Sequence, residues 1–263
     1  MADTPITSGT TLLPAEMSST PTSAVEAVVK DNSRKLPPVT TGTTEYYIKG
    51  LASAVSRASA TDPFTILLQG EKLPPGQSIT DLDLASIQRM VHDSALTRIA
   101  TKLKASGFIV EAGGFATVAC WEPGMVGEPY ASHSSVLAQR PLFAEFVKGW
   151  ANLMRRHLYP IAERVSGGRY WKLSLMARDP AVEYVPGAVR AVLVPFIERF
   201  TSDQNEDGPM PVWLEAGSDR ARAIYAHYGF REVGEVEANG IKTWGMIGSF
   251  RVSPVHKQYI IIE

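Results

Sequence analysis

The sequence predicts an α/β fold with an antiparallel front half and a βαβ-type centre, and three observations carry that expectation. Two strand-like runs, "FIVEAGG" and "FATVACWEP", meet at Gly113–Gly114 in the manner of a β-hairpin. Between two later strand-like runs, "AVRAVLVPFIERF" places Val189, Val192, Leu193, Phe196, Ile197 and Phe200 at i, i+3, i+4, i+7, i+8 and i+11. That is the spacing of one helix face. The last third then reads as strand 212–216, helix 218–228, strand 230–237 and strand 242–250.

In chain order, residues 1–42 are rich in Thr, Ser, Pro and Ala and are expected to be disordered, leaving one folded domain over 43–263. Tyr47, Ile48, Leu51 and Val55 mark a helix from 45 to 58, which Asp62–Pro63 ends in a turn. Leu84, Ile87, Val91, Leu96, Ile99 and Leu103 give the buried side of a long helix from 81 to 104, closed by Gly107. "EPGMVGEPYASHSS" reads as a loop. The next helix, 142 to about 157, carries Phe143, Phe146, Val147, Trp150 and Met154 on one side. "RYWKLSLMARDP" is a strand stopped at Asp179–Pro180, "TSDQNEDG" is a polar loop, and the β-prone "QYIIIE" closes the chain.

Composition bounds the function. A length of 263 residues, 44% hydrophobic and 20% charged, is ordinary for a soluble globular protein. A formal net charge of −1 supplies no global reason to bind nucleic acid or an anionic membrane. No apolar run approaches the ~20 residues of a membrane span, and no basic patch precedes an apolar block at the N-terminus. The single cysteine, Cys120, excludes an internal disulfide, fits a reducing, cytoplasmic setting, and sits in an apolar run as a small buried hydrophobe. No Cys/His cluster has metal-ligand spacing.

The chemistry concentrates at residues 170–234. A strand that ends in a Pro-marked turn and passes directly into a helix aims free backbone N–H groups and a helix dipole at one spot, a ready anion site. Gly187 supplies a small residue there. Further on, Ala221, Ile224, Tyr225 and Tyr228 share one helix face, with Gly229 as the natural stop, so Tyr225 points inward. Such a tyrosine is either a core residue with a structural hydrogen bond or a proton donor.

The run "YWKLSLMARDP…PGAVRAVLVPFIERF…PVWLEAGSDRARAIYAHYGFREVGE" resembles the core of the GNAT superfamily of acetyl-CoA-dependent N-acetyltransferases. It is most similar to the fungal branch, whose members often read YWxLxxLxVxP, a Gly-rich loop, LEA and LYxxxGFxxVGE. The earlier "DPF" and "VACWEP" also resemble that branch, so the likeness covers most of 45–250. It implies a GNAT-like mixed, mostly antiparallel sheet with helices on both faces and a central βαβ unit for the co-substrate.

The resemblance also implies roles. Backbone groups of Leu175, Met176 and Ala177, on a strand splayed from its neighbour, would pair with the pantetheine arm of acetyl-CoA. Val185, Gly187, Ala188, Val189 and Arg190 would hold the pyrophosphate. The family loop reads Arg/Gln-x-x-Gly-x-Gly/Ala. Here Tyr184 replaces the first residue, Pro186 stands third without a backbone donor, and Val189 replaces the second glycine. Each charge-assisted bond lost costs about 1.5–3 kcal/mol. The Gly187–Ala191 segment also reads as a plain helix start. Tyr225 would protonate the departing thiolate, and Ser218, where many members carry Asn, also suits an N-cap.

"RYWKLSLMA" contains no acid, so Glu215 and Glu122 are the alternatives for a general base, with His133 and His157 less suited. The expected activity is acetyl transfer to a primary amine of a small molecule, by direct transfer in a ternary complex. The competing expectation is the same fold with weakened catalysis, serving as a CoA-binding or protein-interaction module.

Overall fold

The computed structural model describes residues 35–128, 137–205 and 207–248. The disorder expected for residues 1–34, His133 and the tail "QYIIIE" lie outside them. Seven strands form one sheet: β1 (Val39–Gly42), β2 (Phe108–Ala112), β3 (Thr117–Met125), β4 (Arg169–Arg178), β5 (Val212–Ala216), β6 (Phe230–Ala238) and β7 (Ile241–Gly248). Their spatial order is β1-β2-β3-β4-β5-β7-β6. Only β4 and β5 run parallel among these neighbours. Among the described residues, seven α-helices accompany them: α1 (Glu45–Ser59), α2 (Pro63–Gly70), α3 (Leu84–Lys104), α4 (Pro141–Leu153), α5 (Tyr159–Ser166), α6 (Ala188–Thr201) and α7 (Asp219–His227). The mixed, mostly antiparallel sheet with a β4–α6–β5 crossover matches the expected fold class.

Helices cover both faces because strand side chains alternate. In β3, Val118 and Cys120 pack with Leu51, Val55, Val91 and Ile99 of α1 and α3. Their neighbours Ala119 and Trp121 pack on the opposite face with Val192, Leu193, Phe196 and Phe200 of α6. Burial pushes the Cys120 thiol up to about 12, so it is an inert core group. The tryptophans mostly fill cores as well. Trp121 and Trp150 are buried, and Trp171 stacks on Phe200 with centroids 4.3 Å apart.

The structure differs from expectation at several places. Strand β1 lies ahead of residue 43. Its β-branched "VTT" pairs with β2 from Val39↔Ala112 to Gly42↔Ile109, and Thr40 Oγ1 donates to Glu111 Oε1 at 2.5 Å. The turn expected at Asp62–Pro63 is present, with the Asp62 N–H on Ser59 O at 3.0 Å, but a further helix starts there: Asp62 caps α2 by accepting the Thr65 N–H at 2.8 Å, with Pro63 in the first turn. Proline there loses a donor that has no helical partner anyway. The long helix starts at Leu84, not 81: Asp83 Oδ1 takes the Ser86 N–H at 2.8 Å, and Ile79–Asp81 forms a separate 3₁₀ turn. Leu84 is consequently 51% exposed instead of lying on the buried side.

The helix expected to end near 157 continues through a π turn, Met154–Leu158, into α5. Pro160 cannot donate to the carbonyl four residues back, and the helix widens just before it, with the Tyr159 N–H reaching Met154 O. His157 sits in this turn.

Candidate functional site

The sheet opens at its centre. β4 and β5 pair at Trp171↔Val212, Lys172↔Trp213 and Leu173↔Leu214, where the ladder ends. Glu215 and Ala216 of β5 stay with Gly245 and Trp244 of β7. On the other side, Trp121 opposes Leu173 but Cys120 opposes Leu175, so Ser174 is an extra residue in β4. Such a bulge bends its strand away from the regular path. Leu175, Met176 and Ala177 therefore pair with β3 alone, and their other edge borders a wedge between β4 and β5. An edge of this kind can take an extended ligand as an added strand.

The turn after β4 leads to the start of α6. Asp179, 1% exposed, accepts the Arg57 guanidinium (Nε to Oδ1 2.8 Å, with Nη2 on Oδ2) and the Ala181 N–H at 3.0 Å. Burial alone would raise its pKa, but the Arg57 bonds and charge hold it below the usual carboxylate value. Gly187 precedes α6 with φ +82°, a conformation that costs any residue with a Cβ about 1–2 kcal/mol. The first helical bond runs from the Ala191 N–H to Gly187 O at 2.9 Å. The N–H groups of Val189 and Arg190 come before it and point out of the helix start.

Ala188 departs from expectation: it is buried, and its N–H donates to Val185 O at 3.2 Å. Val189 packs its methyls against the core. A Cβ at Gly187 would stand 3.3 Å from Pro37 Cδ, so the segment entering β1 runs beside this turn. Tyr184 is 61% exposed, with the Arg178 guanidinium 5.4 Å from its ring centroid. The Tyr228 phenol lies within electrostatic reach of Arg190 and Tyr184. Tyr184 and Tyr228 are thus brought to the rim of the helix start, which sequence spacing alone did not indicate.

On the other side of the wedge, Ser218 Oγ caps α7 by accepting the Ala221 N–H at 3.2 Å. Tyr225 is half-buried against the core, its ring edge-on to Phe230 with centroids 5.9 Å apart. Its hydroxyl has no hydrogen-bond partner among the described residues, yet it is not one of the sealed, unsatisfied atoms of the interior. Burial, and then the nearby Glu215 charge, raise the phenol above its ordinary pKa. Tyr225 is therefore protonated at neutral pH.

Glu215 and Glu122, expected as alternatives, are joined in one charged cluster. Lys172 Nζ lies 3.0 Å from Glu215 Oε2, and Trp213 Nε1 donates to Glu215 Oε1. Lys102 Nζ lies 2.7 Å from Glu122 Oε1, which also accepts from Ser174 Oγ. Burial lowers the Lys172 ammonium, with Glu215 acting in the opposite direction. For Glu122, burial raises and the Lys102 and Lys172 charges lower; the charges win, and its pKa is depressed. Lys172 is not among the residues the sequence singles out; its signal is a cation in the interior of β4, flanked by Trp171 and Leu173. Among the described residues no group of three or more His, Cys, Asp or Glu side chains is arranged to hold a metal ion, and no helix is long and apolar enough to cross a membrane.

No protein-family model and no curated protein matches the chain. Solved structures do. The structure of an insect protein named arylalkylamine N-acetyltransferase 7, from the yellow fever mosquito, superposes with a TM-score of 0.50 at 15% identity. The match covers 80% of this chain and 85% of that one. A structure described as histone acetyltransferase HPA2 and related acetyltransferase, from Corynebacterium glutamicum, gives a TM-score of 0.49 at 17% identity, over 84% and 99% of the two chains. At such identities the mosquito structure establishes a shared fold, which is the GNAT-like architecture expected from the sequence.

Proposed function

We propose that the protein is an acetyl-CoA-dependent N-acetyltransferase acting on a primary amine of a small molecule, by direct transfer in a ternary complex. One observation carries this: the β4–β5 ladder ends at Leu173↔Leu214, and beyond that point β4 leads to the open N-terminus of α6 while β5 leads to α7, which carries Tyr225. The bulged edge at Leu175–Ala177 suits an extended amide-bearing arm, and the first-turn N–H groups of α6 suit its pyrophosphate. Gly187, Val189 and Arg190 supply that end. Ala188 supplies less, because its N–H already donates to Val185 O. The fungal-branch motifs "YWKLSL", "LEA" and "YAHYGFREVGE" support the same assignment.

Acetyl-CoA brings the acetyl thioester as co-substrate. In the transfer, a nitrogen–carbon bond forms as the carbon–sulfur bond breaks. The sulfur takes a proton from Tyr225, whose raised pKa keeps that proton available. The amine must lose one, and Glu215, one residue past the end of the β4–β5 ladder, takes it. Glu122 is the poorer base because it lies in β3 opposite Lys172, inside the paired part of the sheet.

A second reading rests on a different observation. Pro186 has no donor, the Ala188 N–H is used internally, and Pro37 crowds Gly187, which together favour a weakened binding module on the same scaffold. Calorimetric titration with acetyl-CoA, followed by a thiol-release assay over an amine panel led by arylalkylamines, separates the two. Saturable binding with turnover on at least one amine supports the enzyme. Binding without turnover supports a CoA-binding module, and no binding at millimolar acetyl-CoA removes the enzyme and leaves a protein-interaction module.

A further inference from the structure

On the sheet face away from α6 and α7, three cations converge where α2 ends, α3 passes and α4 begins. Lys72 follows α2, Arg98 stands on α3, and Arg140 immediately precedes α4. The carboxylate that approaches Arg140, Glu71, is engaged elsewhere. Glu71 Oε1 accepts the Leu142 N–H at 2.7 Å and Oε2 the Phe143 N–H at 3.1 Å, which caps α4. Its approach to Arg140 Nε is only 4.0 Å. Lys72 Nζ donates to neutral partners, Gln69 Oε1 at 3.0 Å and Ser94 Oγ at 2.5 Å.

Arg140 reaches Leu68 O through Nη2 at 2.9 Å, and its guanidinium lies 4.5 Å from the Phe143 ring centroid. Its Nε is sealed in the interior with no hydrogen-bond partner. Arg98 makes no ion pair among the described residues. Burial, and then repulsion from Arg140 and Arg98, pull the Lys72 ammonium down to about 8.

This arrangement is costly as it stands. Arg140 Nε is a buried donor without a partner, and buried donors are almost always satisfied; like charges gathered at one place also repel. We propose that Lys72, Arg98 and Arg140 form a binding site for an anionic group, a carboxylate or phosphate, carried by a small molecule. Two guanidinium groups and an ammonium match the acceptor oxygens of either group. The site is separate from the α6 helix start and does not depend on acetyl transfer. Its ligand is either a free anion or the anionic end of the acceptor amine.

The test is thermal unfolding of the full chain in inorganic phosphate, and separately in acetate, each compared with chloride at equal ionic strength. Either probe should raise the midpoint saturably, by about 5–10 °C at a hundred times its Kd. Lys72→Gln and Arg140→Gln should weaken that Kd at least tenfold. Should Arg140→Gln fail to fold, Arg98→Gln, on the exposed side of α3, serves in its place. Stabilisation no greater than with chloride overturns the proposal, as does a shift undiminished in Lys72→Gln and Arg98→Gln. In a transfer assay, phosphate that raises the acceptor KM at constant kcat identifies the anionic end of the acceptor. Binding without such competition identifies a separate anion. Both results uphold the site, and its binding readout stands even if no amine is acetylated.

Discussion

Replacing Tyr225 by Phe separates a proton donor from a core residue, because the structure assigns the hydroxyl no hydrogen bond to lose. The ring would keep its edge-on contact with Phe230, so stability should change by no more than about 0.5 kcal/mol. For a chain of this size that is a midpoint shift of about 2 °C or less. A general acid is worth about 10²–10⁴ in rate, or about 3–5 kcal/mol of barrier. Tyr225→Phe should therefore lower kcat by about 100-fold or more while the calorimetric Kd for acetyl-CoA stays within about threefold. Because burial and Glu215 raise the phenol pKa, the wild-type kcat profile should show no loss of the acid form below about pH 10. A kcat within threefold of wild type refutes the role. So does a midpoint lowered by several degrees together with equal losses in Kd and kcat, which would make the residue part of the core.

Glu215→Gln should lower kcat at pH 7 by about 100-fold or more and move any alkaline limb to lower pH, since the charge that raises Tyr225 is gone; an unchanged pH–rate profile would contradict it. Gly187→Ala should cost about 1–2 kcal/mol in a denaturant titration, from φ +82°, and weaken acetyl-CoA binding; a neutral effect on both would remove Gly187 from the site. Arg57→Ala should cost about 3 kcal/mol at pH 7, the low end for a buried pair because Arg57 is partly exposed. The Asp179 pKa is depressed in the folded state, so this contribution is present above its unfolded value and fades as pH falls through the lower folded value. Urea midpoints of wild type and Arg57→Ala should accordingly converge below about pH 4; a gap constant from pH 7 to 3 would show that Asp179 does not titrate as described.

The sequence by itself determined the elements whose signals are local. The stripe from Val189 to Phe200, the Gly113–Gly114 hairpin and the order from β5 to β7 follow from side-chain period and turn chemistry, and the structure has them within a residue or two. Periodicity failed where local and tertiary preferences disagree. "VTT" is strand only because β2 offers it an edge, and Asp62–Pro63 stops one helix while starting another. The site was legible as a set of candidates and not as a geometry. That the β4–β5 ladder stops at Leu173, that Ala188 has no donor to give, and that Lys172 ties Glu215 to the wedge depend on which strands lie side by side. The meeting of Lys72, Arg98 and Arg140 likewise spans about 70 residues of chain. Charge pairing acts through space at a few ångströms, and only the folded chain sets those distances.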